Sequence, residues 1–407
     1  MVQLVLKWFR NTYKKTITSI AFLPAVISLS FLLLSFFMIE FDFSPSGKHI
    51  KSNLHWLSLK DAQTARSICT TIAGGVISLA VFSFSMVMIL LNQAASLMSN
   101  RILDKLIGNR FQQLVLGFYV GTIVYALFLL STIRDINSGV TVPAISTYLL
   151  IALTVFDIFL FIYFIHYITQ TIKYETIIHR IYTNSRKVMV RRCPLNQEHE
   201  QLKQPADKTE IGAYKSGLYQ GFNKNNLLAL CEEEDVIIYF LHPIGTYVME
   251  GVPMLTMVNK RELSTNFETQ LSRIIDIEMG QEIDKSYTYG LKQLMEIAIK
   301  ALSTGLNDPG TAVISLQAIG DLLAYRLQHF PELNIEDKKG TVRIIIKEKS
   351  FDETFENYVM PVWDYGKNDR SIQHEMVHIL KQLKMKGEQP IINKLLGKVQ
   401  LALKSIE

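Results

Sequence analysis

The residues with the clearest chemical potential are His374-Glu375-Met376-Val377-His378. On a helix, imidazoles four residues apart share a face, and the intervening glutamate is placed to activate a zinc-bound water. A catalytic zinc also needs a third protein ligand, and only a short tail containing Glu388 remains after Lys381, Lys384 and Lys386. The expectation is an ordinary helix with no metal, no cofactor and no enzymatic activity. A second candidate is Asp157, near the middle of an apolar run over 144–169. A carboxylate there is costly unless it is protonated, paired or wetted, and no basic residue lies at matching depth. The options are a protonated acid bonded to a hydroxyl of the second span, or a proton or cation site. His166 follows nine residues later, about 13 Å along the helix and on the opposite face, so the two cannot pair. Its neighbours Tyr163, Phe164 and Tyr167 mark an interfacial aromatic belt with a polar handle.

A third pattern fills the charge-free run over 67–100. Thr71, Ser78, Ser85, Asn92 and Ser99 recur in steps of seven, with Gly74, Gly75, Ala95 and Ser96 near the half-steps. Such spacing draws a stripe of small polar groups down one helix. Acyl chains would leave those groups unpaired, so the stripe faces either water in a pore or the backbone of a neighbouring helix. Finally, Gly305-Leu306-Asn307-Asp308-Pro309 supplies a helix stop, a capping residue and a first-turn proline. A ligand or ion contact at that positive helix end is conceivable, and capping alone accounts for Asn307, Asp308 and Pro309.

The elements that would position these residues follow from hydropathy. Four apolar runs, over about 16–39, 67–100, 111–133 and 144–169, are long enough to cross a bilayer. The first contains Pro24, and it lacks a small-residue cleavage site, which marks an uncleaved span and excludes a signal peptide. The third carries Gly117-xxx-Gly121, a helix-contact motif. A short surface helix is expected around 54–59 in the loop between the first two spans. Beyond the spans, 181–210 reads as a linker, 211–260 as a small β-rich module and 261–407 as mainly helical. The fold class expected is an α-helical polytopic membrane domain followed by a cytoplasmic α+β region.

Composition agrees with that division. Of 407 residues 49% are hydrophobic, yet the mean hydropathy is only +0.18, which fits a membrane part joined to a soluble part. The net charge of +5 is mild and its basic residues lie beside apolar runs, so a bilayer surface explains them and nucleic acid is excluded as a partner. Cys69, Cys193 and Cys231 are scattered without metal-type spacing, as expected of packed thiols in a reducing compartment.

Several short stretches together resemble one family. They are Thr71-Ile72-Ala73-Gly74, Leu116-Gly117-Phe118, Ile133-Arg134, Ile162-Tyr163-Phe164-Ile165-His166, Ser216-Gly217-Leu218-Tyr219-Gln220, Ala301-Leu302-Ser303 and Asn307-Asp308-Pro309-Gly310-Thr311-Ala312. From about residue 5 to 390 the chain resembles the bacterial membrane family catalogued as domain of unknown function 2254. The resemblance implies a bacterial inner-membrane protein and assigns no activity. The chain departs from the family pattern at Tyr167, where a second histidine is expected, and near Asp157, where the pattern is apolar or small.

Two functional classes fit these features. The first is an oligomeric channel or transporter for ions or small solutes, with the second span near the central axis. The layout of a polar helix followed by a β-containing soluble region is shared with small-conductance mechanosensitive channels, an analogy at the level of fold. The second is a membrane-anchored sensor or scaffold whose cytoplasmic region binds a partner. Thirteen Lys and Arg residues flank the spans on the amino-terminal side against five on the other, which places both termini in the cytoplasm. An alkaline phosphatase fused to the carboxy terminus is therefore expected to be inactive, and an active fusion would reverse the orientation.

Overall fold

The computed structural model describes residues 21–53, 59, 61–97, 110–133, 142–171, 173–198, 202, 208–259, 264, 266–280 and 286–404. The chain divides into two compact units, the second comprising Tyr174–Glu407 with Leu97–Ser99. Among the described residues of the first, four helices are long and apolar enough to cross a membrane. They are α1 (Phe22–Phe43), α3 (Ala62–Leu97), α4 (Arg110–Thr132) and α5 (Ala144–Thr171), with a short α2 (Pro45–Asn53) after the first.

Helices α1 and α4 approach closely because α4 presents glycine where side chains would collide. A Cβ at Gly117 would stand 2.7 Å from Ile27, and one at Gly121 would stand 2.7 Å from the Phe31 ring. Removing both side chains lets α1 settle against α4, as expected of small-xxx-small contacts. On α3, Ala62, Ala65, Cys69, Ala73 and Val76 face inward and are buried. Their spacing of three and four residues keeps a narrow, smooth stripe toward the bundle.

A carboxylate fastens the bundle at one end. Asp42 is fully buried near the end of α1 and accepts hydrogen bonds from Ser146 N at 2.7 Å, Ser146 Oγ at 2.6 Å and Ile145 N at 3.2 Å. Lys51 Nζ of α2 lies 3.0 Å from the same carboxylate. The anion thus meets the positive end of α5, where amide hydrogens lack intrahelical partners.

These contacts correct two expectations. The first span does not end at 39 but runs to Phe43, because Asp42 is satisfied from other elements and need not reach water. Residues 16–20 lie outside the described residues. The second helix begins at Ala62 instead of 67, since Asp61 caps it by accepting from Gln63 N at 3.1 Å and Thr64 N at 2.9 Å. A short helix not expected from the sequence forms at Pro45–Asn53, and the one expected around 54–59 falls at 54–58 outside the described residues.

The second unit opens with α6 (Tyr174–Arg192), so the first part of the interval expected as a linker is helical. Its Ile177, Ile178, Ile181, Ser185, Val188 and Met189 form one buried face, packed on α9 (Tyr287–Ala301) and α10 (Pro309–Gln328). Gly290 of α9 leaves the space that the Ser185 side chain occupies. The bundle continues with α13 (Arg370–Lys386) and α14 (Pro390–Lys404).

The β-rich part is not the self-contained 211–260 module expected. Strands β1 (Thr209–Gly212), β2 (Gly217–Phe222), β3 (Val236–Phe240), β4 (Tyr247–Val248) and β5 (Pro253–Asn259) share sheets with β6 (Ile275–Glu278), β7 (Asn334–Glu336) and β8 (Val342–Ile345). One sheet runs β1-β5-β3-β8-β7 and the other β4-β2-β6. Strand β8 pairs parallel with β3, and Ile344 opposite Ile238 joins one apolar core with Phe240, Leu255 and Ile277. Helices α7 (Lys224–Glu233) and α8 (Phe267–Ile274) cover that core, which the 211–260 strands could not close alone. Two further short helices, α11 (Phe351–Tyr358) and α12 (Met360–Gly366), follow β8.

Two substitutions test the first unit. Gly121→Val forces a branched side chain into Phe31 and is expected to cost about 1–3 kcal/mol. Asp42→Ala strands the Lys51 ammonium and the Ser146 amide, and is expected to cost roughly 3–5 kcal/mol. Both are read as earlier thermal unfolding in detergent, and wild-type melting of either would refute the corresponding contact.

Candidate functional site

Hydroxyl groups on membrane helices usually return their hydrogen to the carbonyl one turn back, which satisfies them without outside help. Most hydroxyls in this bundle follow that rule. Ser28 bonds Pro24 O at 2.7 Å, Thr147 bonds Pro143 O at 2.9 Å and Thr154 bonds Leu150 O at 2.8 Å. Ser83 of α3 and Thr122 of α4 do not. Their hydroxyls are buried without a partner, as is the hydroxyl of Tyr119 on α4.

Two of these side chains, Thr122 and Tyr119, lie near Asp157 of α5, and Ser83 lies beside Tyr119. Thr122 is the carboxyl's hydrogen-bonding neighbour and Ser83 is the neighbour of the Tyr119 phenol, which lies within electrostatic reach of Asp157. Tyr119 and Thr122 are three residues apart and so share a face of α4. Ser83 is 6% exposed and the other three are fully buried, yet both Asp157 oxygens lack a completed hydrogen bond. Three helices therefore converge a carboxyl and three neutral hydroxyls on one point within the apolar length of the bundle. An all-oxygen set of this kind suits a proton or a hard cation, which softer sulfur or imidazole sets do not favour. Asp157 was legible in the sequence as a costly group. Its partners were not, although a tyrosine and a threonine in register on an apolar helix were the available signal.

The polar stripe lies elsewhere on α3. Thr71, Gly75, Ser78, Ser85 and Asn92 are exposed, on the side away from buried Ala73 and Val76, and Ser99 lies outside the described residues. Ser78 satisfies its own hydroxyl on Gly74 O at 2.9 Å. A Cβ at Gly74 or Gly75 would meet nothing within 4 Å. The stripe thus faces outward from the helical bundle, and α3 carries polar groups on both sides: Ser83 inward and the stripe outward.

The remaining candidates are not brought to this cluster. His166 is exposed on α5, a helix whose Tyr163, Phe164 and Tyr167 gather around Phe111, with ring centroids 5.3, 6.5 and 4.6 Å away. In the second unit Asp308 caps α10, with its oxygens accepting from Thr311 N at 3.1 Å and Thr311 Oγ1 at 2.6 Å, and Pro309 opens the helix. Asn307 is exposed in the left-handed region at φ 46°. Its role is the turn into α10. His374, Glu375 and His378 share α13, where Glu375 accepts from Gln317 Nε2 of α10 at 3.0 Å. Among the described residues no three His, Cys, Asp or Glu side chains are grouped as a metal site requires.

Comparison with known proteins gives relatives of unassigned activity. The chain is 24% identical over 301 residues to an uncharacterized protein of Mycobacterium tuberculosis (strain H37Rv) and to one of Mycobacterium bovis. Each alignment covers 70% of this chain and 57% of the relative, so the chain spans little more than half the length of these proteins. No solved structure matches it. The family described as "Predicted membrane protein (DUF2254)" matches residues 17–382, which include all four apolar helices and the Asp157 cluster, and the chain belongs to that family.

Proposed function

We propose that the protein moves ions or small solutes across a bacterial cell membrane as a homo-oligomeric channel or transporter, with both termini in the cytoplasm and α3 near the central axis. The observation that carries this reading is the unpartnered Asp157 carboxyl among Ser83, Tyr119 and Thr122. A carboxyl held at low dielectric with only neutral hydroxyls nearby gains more from a proton or cation than one in water, so its occupancy responds to ion supply. An acid of purely structural use would be expected to resemble Asp42, which is fully supplied with donors. The outward stripe of Thr71, Gly75, Ser78, Ser85 and Asn92 supports the place given to α3, because packed copies would turn these groups toward water or toward one another.

Flux in proteoliposomes tests the proposal. Asp157→Asn removes the ionisable group while keeping its size, and is expected to cut proton or cation flux by about tenfold or more. Thr122→Val should reduce flux less, since only a neutral neighbour is lost. Wild-type flux in Asp157→Asn would remove the carboxyl from the mechanism.

Thiol accessibility tests the stripe separately. Cys69, Cys193 and Cys231 are all buried, so introduced cysteines are read against a low background. Cysteines at Ser78, Ser85 and Asn92 should react with small charged reagents, and cysteines at the exposed apolar positions Val81 and Phe84 should not. Protection at all three stripe positions, together with unchanged Asp157→Asn flux, would favour the membrane-anchored sensor or scaffold.

A further inference from the structure

The second unit contains its own convergence of buried polar groups, independent of the membrane reading. Five elements meet there: the end of α6 with Arg192 and Cys193, β2 with Tyr219, the first residue of α9 with Tyr287, α10 with Arg326, and the segment after β8 with Glu348. Tyr219, Tyr287 and Arg326 are 0%, 2% and 5% exposed. The Tyr219 hydroxyl, the Tyr287 hydroxyl and Arg326 Nε complete no hydrogen bond, with the Tyr287 hydroxyl neighbouring the Arg326 side chain and the Cys193 thiol. Arg326 uses Nη1 on His329 O at 3.2 Å and lies over the Phe330 ring, and its side chain also neighbours the Tyr287 hydroxyl.

The surroundings hold these groups in place. Tyr219 stacks on Phe240 with centroids 5.4 Å apart, so its phenol cannot swing to another partner without breaking the sheet core. Strand β2 is irregular between Tyr219 and Gly221, and Gly221 has φ 118°. A Cβ there would stand 3.4 Å from Arg192 Nη2, so glycine leaves the guanidinium beside the bare strand backbone.

The balance of donors and acceptors gives the ligand class. Arg192, Arg326 Nε and two phenols can donate. Burial raises both phenols well above their usual range, so they remain protonated donors. Glu348 is the nearby acid, and it makes no direct ion pair with either arginine. Donors from four elements thus exceed the acceptors present, a pattern that matches an oxygen-rich anion. We propose that Arg192, Arg326, Tyr219 and Tyr287 bind a small oxyanion of the phosphate class, with Glu348 as the group that tunes its affinity.

The tuning has a definite sign. Burial pushes the Glu348 carboxyl above the ordinary glutamate range and so favours its neutral form, opposed by Arg192, Arg326 and Lys349 with its backbone N–H. Below that raised value Glu348 is neutral and can donate to the anion. Above it, a carboxylate competes for the same guanidiniums, so anion affinity falls as pH rises through the transition.

The experiment uses the full chain in detergent, titrated with sodium phosphate, sodium sulfate or, at matched ionic strength, sodium chloride. Phosphate and sulfate are expected to raise the unfolding temperature saturably at millimolar concentration, and chloride is not. Arg192→Gln and Tyr287→Phe should weaken that response by about tenfold or more. The Tyr219 hydroxyl completes no hydrogen bond and, unlike that of Tyr287, has no hydrogen-bonding neighbour among the described residues, so Tyr219→Phe should weaken the response while melting with or above wild type without ligand, which separates lost binding from misfolding. Sulfate stays a dianion across the neutral range, so its affinity should fall with rising pH in wild type and become level in Glu348→Gln. No saturable response to phosphate or sulfate would overturn the proposal, leaving the cluster to internal water. An unchanged response in Arg192→Gln and Tyr287→Phe would also overturn it, by placing the anion elsewhere.

Discussion

Hydrocarbon supplies no hydrogen bonds, so every polar group in the membrane unit must be satisfied from within, and its two buried acids meet that constraint in opposite ways. Asp42 receives two backbone amides, a hydroxyl and an ammonium from α2 and α5. Asp157 receives no completed hydrogen bond. The first arrangement joins the end of α1 to the start of α5 and sets how far both helices run. The second leaves unmet demand at the centre of three helices. A bundle able to give Asp42 four donors has the means to satisfy a carboxyl, so the unmet state of Asp157 is a feature of its site and not of the fold in general.

Close packing makes that convergence possible. Gly117 and Gly121 bring α1 onto one face of α4, which turns Tyr119 and Thr122 toward α3 and α5. The small residues Ala65, Cys69 and Ala73 let α3 lie against the bundle, and this in turn commits Thr71, Ser78 and Ser85 to the outside. The orientation of the stripe is therefore a consequence of which side of α3 is smooth enough to bury. Large apolar groups such as Val81, Phe82 and Phe84 are exposed on the same helix, so the polar strip lies among apolar side chains.

The four spans were legible because apolar runs of membrane length have few alternatives, and helix junctions such as Asn307-Asp308-Pro309 were legible because their chemistry is local. What the sequence concealed was nonlocal. Asp42 looked like the end of a span, since nothing nearby in sequence reveals that Lys51 and the start of α5 will enclose it. The strand at 342–345 was recognisable by its apolar pattern, but its parallel pairing with β3 spans about a hundred residues and dissolved the expected module boundary. Asp157 announced itself by cost, whereas Ser83, Tyr119 and Thr122 became its neighbours only through the rotation of each helix about its axis.

Unpartnered buried atoms are not all equal. Thr256 in β5 and Gln373 in α13 each leave one oxygen without a bond, the kind of isolated loss that native proteins tolerate. Around Asp157, and again around Tyr219, Tyr287 and Arg326, several such groups converge from elements distant in the chain. An isolated loss has no neighbour to meet it, whereas each convergent set gathers groups able to bond one another or a shared guest. The two sets differ in sign: the first gathers a carboxyl with neutral hydroxyls at low dielectric and the second brings two guanidiniums and two phenols beside one acid, which is why a cation or proton is proposed for one and an anion for the other.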